Sequence, residues 1–280
     1  MQGGSVSDWL SGLSIASIGI GTFLVMLAAA AAGRFVRKMQ LRRSAKKDRE
    51  SEPSVAQEGY LLGSVLGLLG LLLAFTFGMA LNRYEARREL VMKEANAIGT
   101  SYLRAQLLDE PYRGQLSQLL VEYTENRIDL ATVGGVDRLA RNDRLLTDIW
   151  ATVRASRESA LAHGLTTPLL TTFNEVIDLD AERKVAWELR LPVEALILLL
   201  AYLAVTAGVV GHQVDGPRGR RAALLLFAMA SLSITVIADI NRPMSGHARE
   251  SQRPMEMLLE SLRTQPPAVF DQFNPAGAPR

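Results

Sequence analysis

Three acidic side chains in the second half of the chain have the spacing of an ion-binding helix face. Glu175, Asp178 and Glu182 stand three and then four positions apart, so a helix would bring them to one side. Such carboxylates, together with oxygens from another helix, could hold Ca²⁺. They could equally pair with arginines of a neighbouring helix. The spacing indicates either a cation site or a structural charge pairing.

A further acidic residue, Asp239, stands at the end of a long apolar run, shortly before the turn residues Pro243 and Gly246. An unpaired charge close to hydrocarbon is costly. We therefore expect Asp239 to pair with an arginine, either Arg242 or one from the segment 83–88.

Motifs of catalysis and of nucleic-acid binding are missing from the sequence. It has no nucleophile elbow, Walker loop, dinucleotide fingerprint or zinc motif. There are no cysteines, and none of the three histidines has a partner at metal-ligand spacing. The net charge is only +2, and no basic patch is interleaved with aromatics. We predict a protein that is not an enzyme, has no cofactor or resident metal, and does not bind nucleic acid.

Four apolar runs predict an all-α membrane protein. A helix of about 20 residues is about 30 Å long, which matches the hydrocarbon core of a bilayer. The spans form two pairs that flank an extramembrane helical block. The predicted order is an amino-terminal segment with the first span (1–33), a basic loop (34–59), the second span (60–81), the block (82–191), the third span (192–212), a short basic loop (213–221), the fourth span (222–240), and a carboxy-terminal turn, short helix and disordered tail (241–280).

The block is predicted to hold four helices, over residues 82–108, 111–132, 137–162 and 168–191. The first continues the second span and the last runs up to the third, because few Gly or Pro residues interrupt them. Thr167 and Pro168 have the residue types of a helix N-cap and first helical position.

The second span carries small residues on one side, and this pattern favours close helix contact or a pore lining. Gly63, Gly67, Gly70 and Ala74 recur at helical spacing and are called the small-residue face below. Phe77 lies nearer to this face than Phe75 does, so we expect Phe77 to form an apolar constriction. Asn82 and Arg83 would follow it at the pore mouth. The alternative is that both phenylalanines face lipid or pack on the first span.

The runs Asn82–Arg88, Asn174–Arg183, Asp239–Gly246 and Ser251–Met255 resemble the bacterial bestrophin-like domain membrane protein family. The resemblance covers most of the chain. Bestrophins are pentameric ion channels with the second helix along the pore. The resemblance therefore implies a homo-oligomeric ion channel, whose partners are ions, the lipid bilayer and further copies of itself. The alternative is a non-conducting membrane sensor or scaffold whose helical block binds a partner protein.

The basic residues predict how the chain is inserted in a bacterial inner membrane. Lys and Arg are dense in the segment 34–49 and recur at Arg218, Arg220 and Arg221, whereas residues 1–12 have none. Short basic loops stay in the cytoplasm, so the helical block would be periplasmic. The resemblance implies the opposite, because bestrophins place their helical block in the cytoplasm.

Reporter fusions distinguish the two orientations. We expect a topology reporter fused after Arg49 to read as cytoplasmic and one fused between Gly134 and Gly135 to read as periplasmic, because loop charge sets orientation. The reversed pattern would contradict the charge argument and favour the orientation of bestrophins.

Overall fold

The computed structural model describes residues 14–44, 55–243 and 246–273. All regular secondary structure in these ranges is helical, so the predicted all-α class is confirmed. The helices are α1 (Ile15–Ser44), α2 (Val55–Ala105), α3 (Tyr112–Thr132), α4 (Val136–Ala155), α5 (Arg157–Ala162), α6 (Thr166–Glu188), α7 (Val193–Gln213), α8 (Gly216–Ile240), α9 (Arg253–Thr264) and α10 (Pro267–Phe270), followed by a 3₁₀ turn (Asp271–Phe273).

Four helical segments of the described residues are long and apolar enough to cross a membrane, and they lie in α1, in α2, in the segment that ends with α7, and in α8. This agrees with the predicted four spans of an all-α membrane protein. The described residues divide into two compact units. The membrane unit comprises the described parts of 1–83 and 190–248, and the polar unit those of 84–189 and 249–280.

The membrane unit is built around α1, α7 and α8. Its core is mainly apolar, although the hydroxyl side chains of Thr206 and Ser231 are also buried there. It is formed mostly by large side chains of these helices: Met26, Leu199, Leu203, Phe227 and Ile234. The second span contributes one side of α2, where Leu62, Leu66, Leu69, Leu73, Thr76 and Ala80 are wholly or partly buried. These positions alternate in steps of four and three, the repeat of a helix packed along one stripe.

Two glycines bring the backbones of α1 and α7 into direct contact. The Cα of Gly33 lies against the carbonyl of Gly208, and that of Gly211 lies against the carbonyl of Ala30, so closely that a Cβ on either glycine would overlap the opposing oxygen. Small residues permit such close approach between membrane helices. By contrast, a Cβ on Gly21 of α1 would meet no atom within 4 Å.

The polar unit has its own core, to which all its longer helices contribute. Ile98, Leu120, Tyr123, Ile149 and Phe173 are among its most buried apolar side chains. Helix α9 closes one side of this core by burying Met255 and Leu262.

The tail was predicted to be disordered, but the segment after α9 is ordered up to Phe273. Residues 274–280 lie outside the described range. The Tyr102 hydroxyl donates a hydrogen bond to the carbonyl of Gln265 at 2.8 Å. Arg113 binds both carboxylate oxygens of Asp271, at 2.7 and 2.9 Å. These contacts to distant helices, which composition does not reveal, hold the segment in place.

Several predicted helix ends also move. Helix α1 continues to Ser44 and α8 begins at Gly216, so the basic residues assigned to loops at 34–43 and 218–221 are helical. Lys and Arg are good helix formers, and no Gly or Pro interrupts 34–44. Residues 45–54 of the predicted basic loop and residues 1–13 lie outside the described ranges.

The block helices change in three places. A turn at Ser156 divides the predicted helix 137–162. Helix α6 starts at Thr166 after Leu165, so Thr167 is not the N-cap. Pro168 fits in the first turn because backbone amides there have no intrahelical acceptor. The last block helix ends at Glu188, before the third span. In a continuous helix, Pro192 would have no N–H to donate to the Glu188 carbonyl and its ring would clash with that carbonyl.

The glycine contact between α1 and α7 predicts an asymmetric response to added methyl groups. Gly33→Ala should lower the free energy of unfolding of the detergent-solubilised protein by about 1–3 kcal/mol, because the added Cβ would overlap a backbone oxygen. Thermal melting measures the change. Gly21→Ala is the control and should leave stability equal or slightly higher, since alanine favours helix and the space is open. Equal melting of both variants would contradict this packing.

Candidate functional site

The glycines of the small-residue face of α2 are not covered by any of the residues that the structure describes. Gly63, Gly67, Gly70 and Ala74 are all exposed, and a Cβ on any of these three glycines would meet no atom within 4 Å. The glycines therefore do not serve to bring α2 against the other spans of its own chain. At about 100° per residue, their face is centred about 110° away from the buried side of the helix.

The two phenylalanines have different surroundings. Phe77 is 40% exposed and Phe75 is 63% exposed. Phe77 lines a shallow groove against α8 with Leu232 and Val236. It lies about 50° from the centre of the small-residue face, and Phe75 about 110°. Phe77 thus stands between the buried side and the small-residue face.

Asn82 and Arg83 do not share this face. Helical geometry turns them about 90° and about 170° from its centre. Asn82 is exposed and Arg83 is half-buried. The structure therefore brings Gly63, Gly67, Gly70, Ala74 and Phe77 together along one side of α2 but not these two polar residues.

The acidic residues predicted on one helix face do share that face, which is exposed. Glu175, Asp178 and Glu182 all lie on the outer side of α6. In the described ranges, no group of three or more acidic or histidine side chains is placed to hold a metal ion. Lys93 of α2, whose ammonium group lies 2.8 Å from the Glu89 carboxylate, is also weakly influenced by the charge of Glu182.

Asp239 lies at the end of α8 in a hydrogen-bonded turn. Its carboxylate accepts backbone N–H bonds from His247 at 2.7 Å and Ala248 at 3.1 Å. The His247 ring nitrogen Nδ1 lies 3.5 Å from the same carboxylate. Backbone amides thus bind this acidic group, and its charge also acts on the guanidinium of Arg242, one of the arginines expected from the sequence. The backbone partners could not be identified from residue types. The turn residues Met244 and Ser245 lie outside the described ranges.

A buried ion cluster in the polar unit was not predicted. Glu94 of α2 is completely buried and binds two arginines, Arg127 of α3 and Arg183 of α6. The Arg127 Nε lies 2.7 Å from Glu94 Oε1, and its Nη2 donates to Oε2 at 3.1 Å. Tyr123 donates its hydroxyl to Glu94 at 2.8 Å. One carboxylate thus joins three helices.

Asp180 extends the cluster from α6 to α4. It lies 3.0 Å from Arg127 Nη1 and accepts a hydrogen bond from the Asn142 side chain at 2.8 Å. Lys184 reaches both Asp180, at 2.6 Å, and Asp143, at 2.7 Å. The carboxylate oxygens of Asp180 are therefore shared among groups on three helices.

The arginines of the cluster have further partners on its other sides. The guanidinium groups of Arg127 and Arg183 each lie 5.3 Å from the ring centre of Trp187, within the range of cation–π attraction. Arg183 also donates to Gln252 at 3.3 Å. These contacts tie the start of α9 to the cluster.

The buried charges of the described residues balance. The buried arginines are Arg87, Arg127 and Arg183, and the buried carboxylates are Glu94, Asp180 and Glu250. Arg87 pairs with Glu250. Burial by itself would lower the pKa of the Arg127 guanidinium, but the nearby Glu94 and the smaller contributions of Tyr123 and Asp180 together outweigh burial, so the pKa is raised. Burial, then Glu94, raises the pKa of Tyr123, so Tyr123 stays a neutral hydrogen-bond donor.

The sequence did carry a signal for this cluster. Arg127 follows Leu116, Leu120 and Tyr123 in steps of four, three and four, and Arg183 follows Phe173, Val176 and Asp180 in steps of three, four and three. Charged residues in the register of a buried stripe indicate buried pairs rather than solvated ones.

Loss of the central carboxylate should be far more damaging than loss of an exposed one. Glu94→Gln keeps the shape but leaves Arg127 and Arg183 without their shared charge, so it should lower the free energy of unfolding by about 3–5 kcal/mol. Glu182→Gln on the exposed side of α6 is the control, with an expected change within about 0.5 kcal/mol. Thermal melting of the purified protein measures both. Similar melting temperatures for the two variants would show that the cluster is not structural.

Comparison with known proteins points to one family. The family model of the bestrophin-like domain matches residues 23–255, most of the 280-residue chain. No curated protein and no solved structure matches the chain. The matched range contains the small-residue face and the residues of the buried cluster. The chain belongs to the bestrophin-like domain family.

Proposed function

We propose that the protein is a homo-oligomeric ion channel in which α2 lines the pore. The bestrophin-like domain relates the chain to the bestrophin family, whose members are ion channels. The observation that supports the proposal is the small-residue face of α2, which is exposed and whose three glycines contact no other part of the described chain. Its partners would be ions, the lipid bilayer and further copies of the chain.

The other helices of the membrane unit pack together without using the small-residue face. The spans α1, α7 and α8 bury their large side chains on one another, and α2 adds only the stripe that includes Leu69 and Ala80. A lipid-facing surface gains nothing from glycine, which also weakens a helix by about 1 kcal/mol relative to alanine. Glycines on an uncovered face suit close contact with another copy, or a narrow lumen in which bulk would obstruct ions.

Phe77 supplies the constriction in this proposal. In a ring of copies, its partly covered side chain would project from the groove against α8 toward the edge of the small-residue face. A ring of apolar side chains in a narrow tube repels water and can gate ion flow. We leave Asn82 and Arg83 out of the proposed lining because they turn away from this face.

We place the protein in a bacterial inner membrane, with the orientation decided by the two reporter fusions described above. The basic residues near the end of α1 and the start of α8 favour a periplasmic polar unit. The orientation of bestrophins would instead place the polar unit in the cytoplasm. The pore proposal holds in either orientation, because it depends on the side of α2 and not on its direction.

A non-conducting sensor or scaffold is the second candidate. The observation that favours it is the exposed acidic face of α6, formed by Glu175, Asp178 and Glu182. Exposed carboxylates on one side of a stable helix could recruit a basic partner protein. Absence of current from a stable, reconstituted assembly would favour this candidate.

Single-channel recording in planar bilayers tests the channel proposal through the two phenylalanines. Purified protein should give unitary currents, and Phe77→Ala should raise conductance or open probability, because it removes bulk from the constriction. Phe75→Ala is the matched control and should change the currents less.

Two outcomes would count against the proposal. Absence of unitary currents from well-folded, reconstituted protein would contradict the proposal that the protein is a channel. If the preparation conducts but the currents of both variants are unchanged, the proposal that α2 lines the pore would be wrong.

A further inference from the structure

The membrane unit contains a cavity between α1, α7 and α8. Its volume is about 490 Å³. The walls are almost entirely apolar, with Val25 and Met26 of α1, Leu199 and Leu203 of α7, and Ile234 of α8 among them. This cavity is separate from the small-residue face of α2, none of whose residues lines it.

Two arginines stand at one end of the cavity. Arg190 lies three residues before α7 and Arg242 lies two residues after α8, and both line the cavity together with Asn241. Burial, and then the neighbouring Arg190 charge, lowers the pKa of Arg242, an effect that Asp239 partly offsets. The two guanidinium groups therefore repel each other across a site with apolar walls beyond it.

The depth of the cavity matches one leaflet of a bilayer. Its lining on α1 extends from Ser17 to Met26, which is about 14 Å along a helix axis. One leaflet contributes about 15 Å to a hydrocarbon core of about 30 Å. The arginines lie at the level where α8 ends and α7 begins, which is where lipid headgroups meet the hydrocarbon.

We propose that this cavity binds one acyl chain of an anionic phospholipid, whose phosphate lies between Arg190 and Arg242. Guanidinium groups bind phosphate oxygens through paired, charge-assisted hydrogen bonds. An anionic headgroup relieves the repulsion between the two arginines, whereas a zwitterionic headgroup also brings a cation to them. The binding does not depend on ion conduction, so its test is independent of the channel proposal.

The position of Gly21 allows the cavity to be filled without touching its charges. Gly21 lines the cavity, and a Cβ there would meet no atom within 4 Å. Gly21→Leu should therefore occupy the acyl-chain space while leaving the helix intact or more stable. The double variant Arg190→Gln/Arg242→Gln removes the charges instead and leaves the apolar space open.

Native mass spectrometry of the delipidated full-length protein measures binding directly. The probes are phosphatidylglycerol, phosphatidylcholine and palmitate, each at the same series of concentrations. We expect phosphatidylglycerol to bind at least ten times more tightly than the other two. Gly21→Leu should abolish this binding, and the arginine double variant should reduce the preference for phosphatidylglycerol to within about two-fold, since ion-paired phosphate contacts carry the selectivity.

The control is Arg218→Gln/Arg220→Gln, which removes two exposed arginines from the other end of α8 and should leave binding unchanged. Equal binding of the three probes would overturn the proposal, as would tighter binding of palmitate. Full phosphatidylglycerol binding by Gly21→Leu, or a loss in the control equal to that in the double variant, would also overturn it. Melting curves verify that each variant is folded before its binding is measured.

Discussion

Direct backbone contact between α1 and α7 is the constraint on which the membrane unit depends. Gly33 and Gly211 leave no room for side chains between the two helices. In hydrocarbon, where apolar side chains gain little from avoiding lipid, close backbone approach is a main source of helix association. The first and third spans are therefore locked together, and α8 completes their core with Phe227 and Ile234. The second span packs through a single stripe, and its small-residue face is exposed among the described residues.

The polar unit depends on a different interaction, the pairing of buried charges. Three arginines and three carboxylates are withdrawn from water in its described residues, and each such transfer is unfavourable unless partners replace the lost hydration. Glu94 meets that condition with two arginines and a tyrosine hydroxyl. Because Glu94 and these partners together lie on three helices, the cluster requires one arrangement of α2, α3 and α6. We attribute to it the specificity of this unit as well as part of its stability.

The sequence predicted the helices more accurately than the contacts between them. Long apolar runs identify spans because a bilayer has a fixed thickness, so the four spans and the all-helical class followed from composition. The break at Ser156 and the helix ends at Glu188 and Ser44 depend on local geometry that residue types specify only weakly. The partners of Glu94 and the cavity between α1, α7 and α8 depend on contacts between residues far apart in the chain. Periodicity could identify the small-residue face, but only the packing of the other spans reveals that it is uncovered.

The central claim, that the small-residue face borders water, can be tested by chemical accessibility in the membrane. The chain has no cysteines, so each introduced thiol reports one position. Single cysteines at Gly63, Gly67, Gly70 and Ala74 should react with a small water-soluble thiol reagent. Cysteines at Leu61, Leu68 and Phe75, which are exposed on another side of α2, should not react, because a thiol in hydrocarbon does not ionise. Reaction at neither set, or equal reaction at both, would contradict the claim.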